Sequence, residues 1–302
     1  MLLQAAELDP QIAWVQGELG EALRMVSRYD DALAALDRSL ELDPGRTWAR
    51  ASRAATLYGL ERYDEAIHEL DEVVKGDPEY AFAIGTRGEV KSMLADWDPS
   101  IADLTRATEL DPKSDWFFGL TGWSLENAGK PESALAAYDE ALVHAPDSAL
   151  WRRGRADSLR ALGRPDAEDE YRRVVDDWES REEEQRADVL FVLGWCHYNL
   201  GQYEQAVRYY TDDLAVDPES VSSQFDLALV LATSGRGTLA LTEYERGIEM
   251  ADKKPPRRRL ALLEIALRDL DNGRRRATDG EAHAALENAR DLLSREVHRV
   301  SD

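Results

Sequence analysis

Cysteine is nearly missing from this 302-residue chain. Cys196 stands alone, so no intrachain disulfide can form. That fits a reducing setting and, with no secretory core or basic region at the N-terminus, places the expected location in the cytoplasm. No apolar run approaches the ~20 residues of a membrane span, so no membrane partner is expected. Basic charge is scarce: 37 Lys and Arg stand against 60 Asp and Glu, a net charge of −23. The imbalance is uneven, with 25 basic and 50 acidic residues in 1–250 but 12 and 10 in 251–302. An acidic surface repels phosphate backbones, which argues against nucleic acid along residues 1–250. It favours basic or neutral partners and aids solubility.

Catalytic patterns are lacking as well. There is no glycine-rich phosphate loop and no nucleophile elbow. The histidines are His68, His144, His197, His283 and His298. None has a second histidine or cysteine at ligand spacing except the adjacent pair Cys196–His197, and neighbours on a helix point about 100° apart. Cys196 occupies an apolar place in its helix and reads as core. The expectation is no enzyme activity, no metal and no cofactor.

What is present is a period. Pro10, Pro44, Pro78, Pro112 and Pro146 are equally spaced, in the phrases AELDP, LELDP, VKGDP, TELDP and VHAPD. A small residue recurs at Gly20, Ala54, Gly88, Gly122, Ala156, Gly194 and Ala228. A second follows at Ala32, Ala66, Ser100, Ala134, Ala206 and Ala240, and one turn later a large apolar residue at Leu36, Leu70, Leu104, Tyr138, Tyr210 and Tyr244. One-turn spacing puts the last two on one helix face, where the small residue admits a neighbouring helix and the large one fills the gap. The aspartate before Pro10, Pro44, Pro78, Pro112 and Pro218 (Asp9, Asp43, Asp77, Asp111, Asp217) suits a helix start.

A self-similar period of about 34 residues, which these prolines keep, is the signature of a helix–turn–helix solenoid. Residues 1–252 resemble the tetratricopeptide repeat family through this period, the Leu-Gly pairs at Leu19 and Leu193, and the phrases YDDA, YDEA and YEQA at Tyr29, Tyr63 and Tyr203. The tryptophan usual in the family before that leucine is missing; an aromatic stands two residues earlier. The resemblance implies an all-α, right-handed superhelical solenoid.

Residues 1–10 read as the second half of a repeat, which implies either a chain that begins inside a longer protein, with Leu2 and Leu3 as an apolar edge for self-association, or a short natural capping helix. Residues 11–252 read as seven repeats, the fifth irregular. The interval from Pro146 to Pro218 exceeds two periods, and the surplus in DDWESREEEQR, 176–186, predicts a lengthened second helix. Residues 253–302 read as a capping helix pair, carrying Leu260, Leu263, Ile265, Leu267 and Leu270, then Ala282, Ala285, Leu286, Ala289, Leu292, Leu293 and Val297.

First helices line the concave groove in the family, which makes three sets candidate binding residues. Trp14, Trp48, Phe82 and Trp116 form a ladder, one rung per period. Rings in a row suit an extended peptide with apolar or cationic side chains, or alternatively pack on the preceding repeat. Glu21, Glu89, Trp123, Asp157 and Trp195, then Tyr58, Glu126, Asn127, Tyr198 and Asn199, vary in type at fixed positions, as a tuned groove or an unconstrained surface would. Arg53, Arg87 and Arg155 replace leucines, so each must extend its head to water or pair with an acid, in the groove or structurally. The lysines and asparagines that grip a C-terminal carboxylate in chaperone-binding relatives are replaced by Gly17, Glu21, Ser52, Phe82 and Thr86, which excludes that clamp. The basic clusters at 253–259 and 273–276 read as charge balance beside acidic helices or as a patch for an acidic partner. The functional expectation is a non-catalytic scaffold binding a protein or peptide segment that is basic or aromatic-compatible. Closely matching copies with an opening aromatic also resemble bacterial arrays attached to signalling or defence ATPases and proteases, so a sensor segment of such a protein is a second reading. A self-assembling solenoid is a third.

Overall fold

The computed structural model describes residues 11–182, 187–277 and 279–301. Sixteen α-helices succeed one another, and no strand is present among the described residues. The first seven are α1 (Ala13–Met25), α2 (Tyr29–Leu42), α3 (Thr47–Gly59), α4 (Tyr63–Gly76), α5 (Ala81–Met93), α6 (Trp97–Leu110) and α7 (Asp115–Asn127). They make up one compact unit, Met1–Ala128. The second unit, Gly129–Asp302, holds α8 (Pro131–His144), α9 (Ala149–Ala161), α10 (Ala167–Glu179), α11 (Leu190–Asn199), α12 (Tyr203–Val216), α13 (Val221–Thr233), α14 (Gly237–Ala251), α15 (Pro256–Arg274) and α16 (Gly280–Ser301). Leu2, Leu3 and the partial repeat at 1–10 lie outside the described residues.

The small-and-large pattern is the core. Ala32, Ala66, Leu36, Leu70 and Leu104 are fully buried in the first unit. A Cβ on Gly20 would stand 2.5 Å from Leu36 Cγ, and one on Gly88 2.7 Å from Leu104 Cγ. Paired helices approach this closely because the glycines have no side chain. Each leucine so buried contributes roughly 2 kcal/mol. In the second unit tyrosine takes the large place: Tyr138, Tyr171, Tyr210 and Tyr244 are fully buried.

The turn between the two helices of a repeat takes one residue with positive φ. The second unit supplies glycine at Gly163 (φ 67), Gly201 (75) and Gly235 (77). The first unit uses Ser27 (φ 57), Glu61 (58) and Ala95 (57), whose β-carbons cost about 1–2 kcal/mol each in this conformation.

Two sequence expectations differ from the structure. Asp43, Asp77, Asp111 and Asp217 close the second helices instead of opening the first ones. Their carboxylates accept the N–H two residues on, at 3.3 Å from Gly45, 3.1 Å from Glu79, 3.3 Å from Lys113 and 3.1 Å from Glu219. This is the local turn that an aspartate forms with its own backbone. Where a side chain caps a first helix it is a serine further on: Ser114, Ser148 and Ser220 accept from Phe117 N, Trp151 N and Ser223 N. Nor is the second helix of the irregular repeat longer. α10 stops at Glu179, where Ser180 Oγ turns back to Asp177 O at 3.0 Å and the Arg181 guanidinium lies 3.8 Å over the Trp178 ring. A serine that bonds its own backbone competes with helix continuation. The surplus residues therefore fall in the segment before the short 3₁₀ turn Ala187–Val189, of which 183–186 lie outside the described residues.

The last hairpin is longer than the others, 19 and 22 residues. Leu263, Leu270, Ala282, Ala285, Leu286, Ala289 and Leu293 are buried, while Leu260, Ile265, Leu267, Leu292 and Val297 are half-buried. Near the end of α15, a Cβ on Gly273 would meet Leu229 Cδ1 at 2.8 Å and the Tyr198 hydroxyl at 3.3 Å. α15 thus presses on α13 and reaches α11.

Candidate functional site

In the first unit, α1, α3, α5 and α7 lie side by side as the first helices of successive repeats. Their shared face carries the aromatic ladder. Its outer rungs are open, with Trp14 53% and Trp116 44% exposed. The inner rungs Trp48 and Phe82 are half-buried. Trp48 rests on the preceding repeat: a Cβ on Gly17 would stand 2.5 Å from its Cη2. Phe82 lies 6.1 Å from the Tyr80 ring. The packing role and the open ring faces are therefore divided between inner and outer rungs.

Glu89 on α5 ties three of these helices together. Trp116 Nε1 on α7 donates to one of its oxygens at 3.2 Å, and the Tyr58 hydroxyl on α3 donates to the other at 3.3 Å. Burial pushes the Glu89 carboxyl above its ordinary value, against the lowering effect of the two aromatic donors and the Arg24 charge. Glu21 differs. Arg24 bonds both its oxygens, at 2.9 and 2.6 Å, and those bonds hold its pKa below the usual carboxylate range. Trp123 stands edge-on to Trp97 with centroids 5.5 Å apart, and the Asn127 amide turns back to Trp123 O at 2.7 Å. Glu126 is half-buried on the same turn.

The second unit holds the remaining candidates in a different state. Asp157 accepts from Trp195 Nε1 at 2.8 Å and from the Tyr171 hydroxyl at 2.5 Å, while Arg153 lies 3.4 Å from its other oxygen. Tyr198 is 2% and Asn199 5% exposed, because the chain itself covers them. Arg276 bonds Asn199 Oδ1 and donates to Tyr198 O at 3.0 Å and Asn199 O at 2.9 Å, and its guanidinium sits 4.5 Å over the Tyr198 ring. One member of the 273–276 basic cluster is thus a cap on the last carbonyls of α11, where the helix dipole favours a cation. In the same unit Asp226 is pushed up to about 8 by burial, with the Asp269 charge adding to the effect.

Arg53, Arg87 and Arg155 form three copies of one ion triad. Each reaches an acid on the preceding second helix and one on its own: Asp37 and Glu69 for Arg53, both at 2.7 Å. Arg87 takes Asp71 at 2.8 Å and Asp103 at 2.6 Å. Arg155 takes Asp139 at 2.6 Å and Glu170 at 3.2 Å. Three helices are joined by each guanidinium, whose fork suits two carboxylates. The signal was readable, since Asp37, Asp71 and Asp139 all fall on the period of the prolines. Sequence reasoning missed Arg24 and Arg153 and read Arg276 only as part of a basic cluster; none of the three recurs in successive repeats. Cys196 is fully buried, which pushes its thiol well above the ordinary value.

Known proteins carry the same repeat. A tetratricopeptide repeat family model matches residues 79–246, and a second one matches 23–84. The chain belongs to the tetratricopeptide repeat family. A curated relative, the TPR repeat-containing protein MJ1428 of Methanocaldococcus jannaschii, is 28% identical over 121 residues, 40% of this chain. The match spans 21% of that relative's length. Among solved structures, the APC/C hetero-tetramer Cut9–Hcn1 superposes with a TM-score of 0.62 at 15% identity, over 88% of this chain and 51% of that one. MamA from Desulfovibrio magneticus RS-1 gives 0.51 at 16% identity, over 57% and 97%. These likenesses show the tetratricopeptide fold. Among the described residues no helix is long and apolar enough to cross a membrane.

Proposed function

We propose that the chain is a non-catalytic interaction module that holds a protein or peptide segment on the face formed by α1, α3, α5 and α7. The observation that carries this reading is the pair of open tryptophans, Trp14 and Trp116, at the two ends of that face. Tryptophan is enriched at protein interfaces, where a few such residues supply most of the binding energy. The Trp116 ring is held by its bond to Glu89, so little side-chain freedom is lost on contact. The acidic charge of residues 1–250 and the aromatic rungs together favour segments rich in basic and apolar residues. Membership of a family built from stacked helical hairpins supports the same reading, because such arrays offer long binding surfaces.

Selection of peptides from a random display library against the intact chain tests it. Enriched peptides should carry basic and aromatic or aliphatic residues. Trp14→Ala and Trp116→Ala should each weaken the best of them by about thirtyfold, the ~2 kcal/mol of a well-packed interface aromatic. Melting temperatures on the same variants separate binding from packing. No enrichment, or unchanged affinity in both folded variants, would defeat the proposal.

A further inference from the structure

We infer that Glu89, flanked by Trp116 and Tyr58, is the seat of one cationic side chain of the bound segment. This rests on the binding face proposed above and names the chemistry at its centre. Both carboxylate oxygens are already oriented, each by one aromatic donor, from Trp116 at 3.2 Å and Tyr58 at 3.3 Å. A carboxylate offers about four acceptor sites, so two remain for a ligand. Neither aromatic donor brings positive charge. Among the described residues no basic side chain lies within ion-pair distance of Glu89. Arg24, whose charge reaches it, gives its Nε and Nη2 to Glu21. Three other acids on this face or beside it contrast with Glu89. Glu21 has Arg24, Glu69 has Arg53, and Asp103 has Arg87 and Lys91. A half-buried carboxylate whose charge is left without a cation is costly to keep in a folded chain. It becomes favourable when a ligand brings the cation.

The surroundings fit that ligand. The Trp116 ring, 44% exposed, stands beside the carboxylate, and an indole face attracts ammonium and guanidinium groups. Trp116 comes from the repeat after Glu89 and Tyr58 from the one before, so the seat spans three successive first helices. An extended segment lying across those helices would pass over it. Arginine and lysine both supply the required charge. Arginine adds a planar fork for the two free lone pairs and a flat surface for the indole.

The probes are three blocked tripeptides with alanine on each side of arginine, lysine or citrulline, titrated into the intact chain. The readout is the Trp116 indole N–H resonance, assigned through Trp116→Phe. The arginine and lysine peptides should move that resonance with dissociation constants of about 1 mM, as expected for a single contact. Whichever of the two binds tighter names the source of the cation. Citrulline, which keeps the shape and loses the charge, should bind at least tenfold more weakly. Glu89→Gln keeps an acceptor for Trp116 and should lose the preference for charge. Equal binding of citrulline, unchanged binding in Glu89→Gln, or no shift of the Trp116 resonance by either cation would overturn the assignment. None of these results depends on the Trp14 and Trp116 variants used against the selected peptides, so the binding face can stand if the cation seat falls.

Discussion

Removing the Arg276 side chain should loosen one end of the second unit and leave the fold intact. Arg276 makes three hydrogen bonds to Tyr198 and Asn199, 77 residues upstream at the nearest, and stacks on Tyr198. Each bond from a charged donor contributes roughly 1.5 kcal/mol at the low end, and a cation over a ring roughly 1. Ordering a long side chain takes back about 2 kcal/mol. Arg160 also donates to Asn199 O at 2.9 Å, so in Arg276→Ala that carbonyl keeps a donor while Tyr198 O and Asn199 Oδ1 lose theirs. The expected loss is about 3 kcal/mol, close to a hundredfold rise in local opening. Hydrogen exchange followed by mass spectrometry would read it peptide by peptide. Protection should fall most in α11, α13 and α15 and fade towards α8, because repeats contact chiefly their neighbours. Arg276→Lys should recover part of the loss, since an ammonium cannot reproduce the fork. A change below about threefold in α11 and α15, or one spread evenly to α8, would refute the argument.

Other perturbations have signs fixed by the structure. Ala95→Gly should raise stability by ~1 kcal/mol, because residue 95 has φ 57 and glycine relieves the β-carbon cost; a lower melting temperature would contradict it. Gly85→Ala should lower stability by about 1–3 kcal/mol, since the new Cβ would stand 2.1 Å from Phe117 Cε1 and the ring must move. An unchanged denaturant midpoint would show that Phe117 yields freely. Asp226, pushed up to about 8 by burial, binds its proton more tightly folded than unfolded. Its favourable effect is complete below the unfolded value near 4 and is lost as pH rises through about 8. Asp226→Asn should therefore raise the melting temperature at pH ~8 and flatten the profile above pH ~4; a parallel profile would remove Asp226 as its cause. Glu89 should couple cation binding to pH in the opposite sense. Burial raises its free pKa, and a bound cation lowers it again. Tyr58, Trp116 and Arg24 are the polar and charged groups that act on it. Affinity for the arginine tripeptide should fall as pH drops through the raised value, with a proton released on binding; calorimetry in buffers of different ionisation heat would detect that proton, and its absence would oppose the linkage.

The sequence by itself determined whatever repeats. The fixed interval between prolines, the small residue facing a large one and the leucine replaced by arginine all recur, and recurrence makes weak local preferences legible. Gly20 against Leu36 and the three arginine triads follow the period because each repeat meets its neighbour in the same way. The ladder was legible as a row of rings. Which rungs stay open was not, since Trp48 is lodged on Gly17 while Trp116 is drawn out by Glu89. The end of α10 at Glu179 was missed for a related reason: nothing in the helix pattern reveals a serine turning back on its own backbone. Arg276 is the clearest case. As one letter of a basic run it signalled only charge, and just the folded chain brings it under α11, where it covers Tyr198 and Asn199. Contacts that occur once, between residues far apart in the chain, leave no periodic trace. Their energy depends on how helices several repeats apart come together, and that is settled only when they pack.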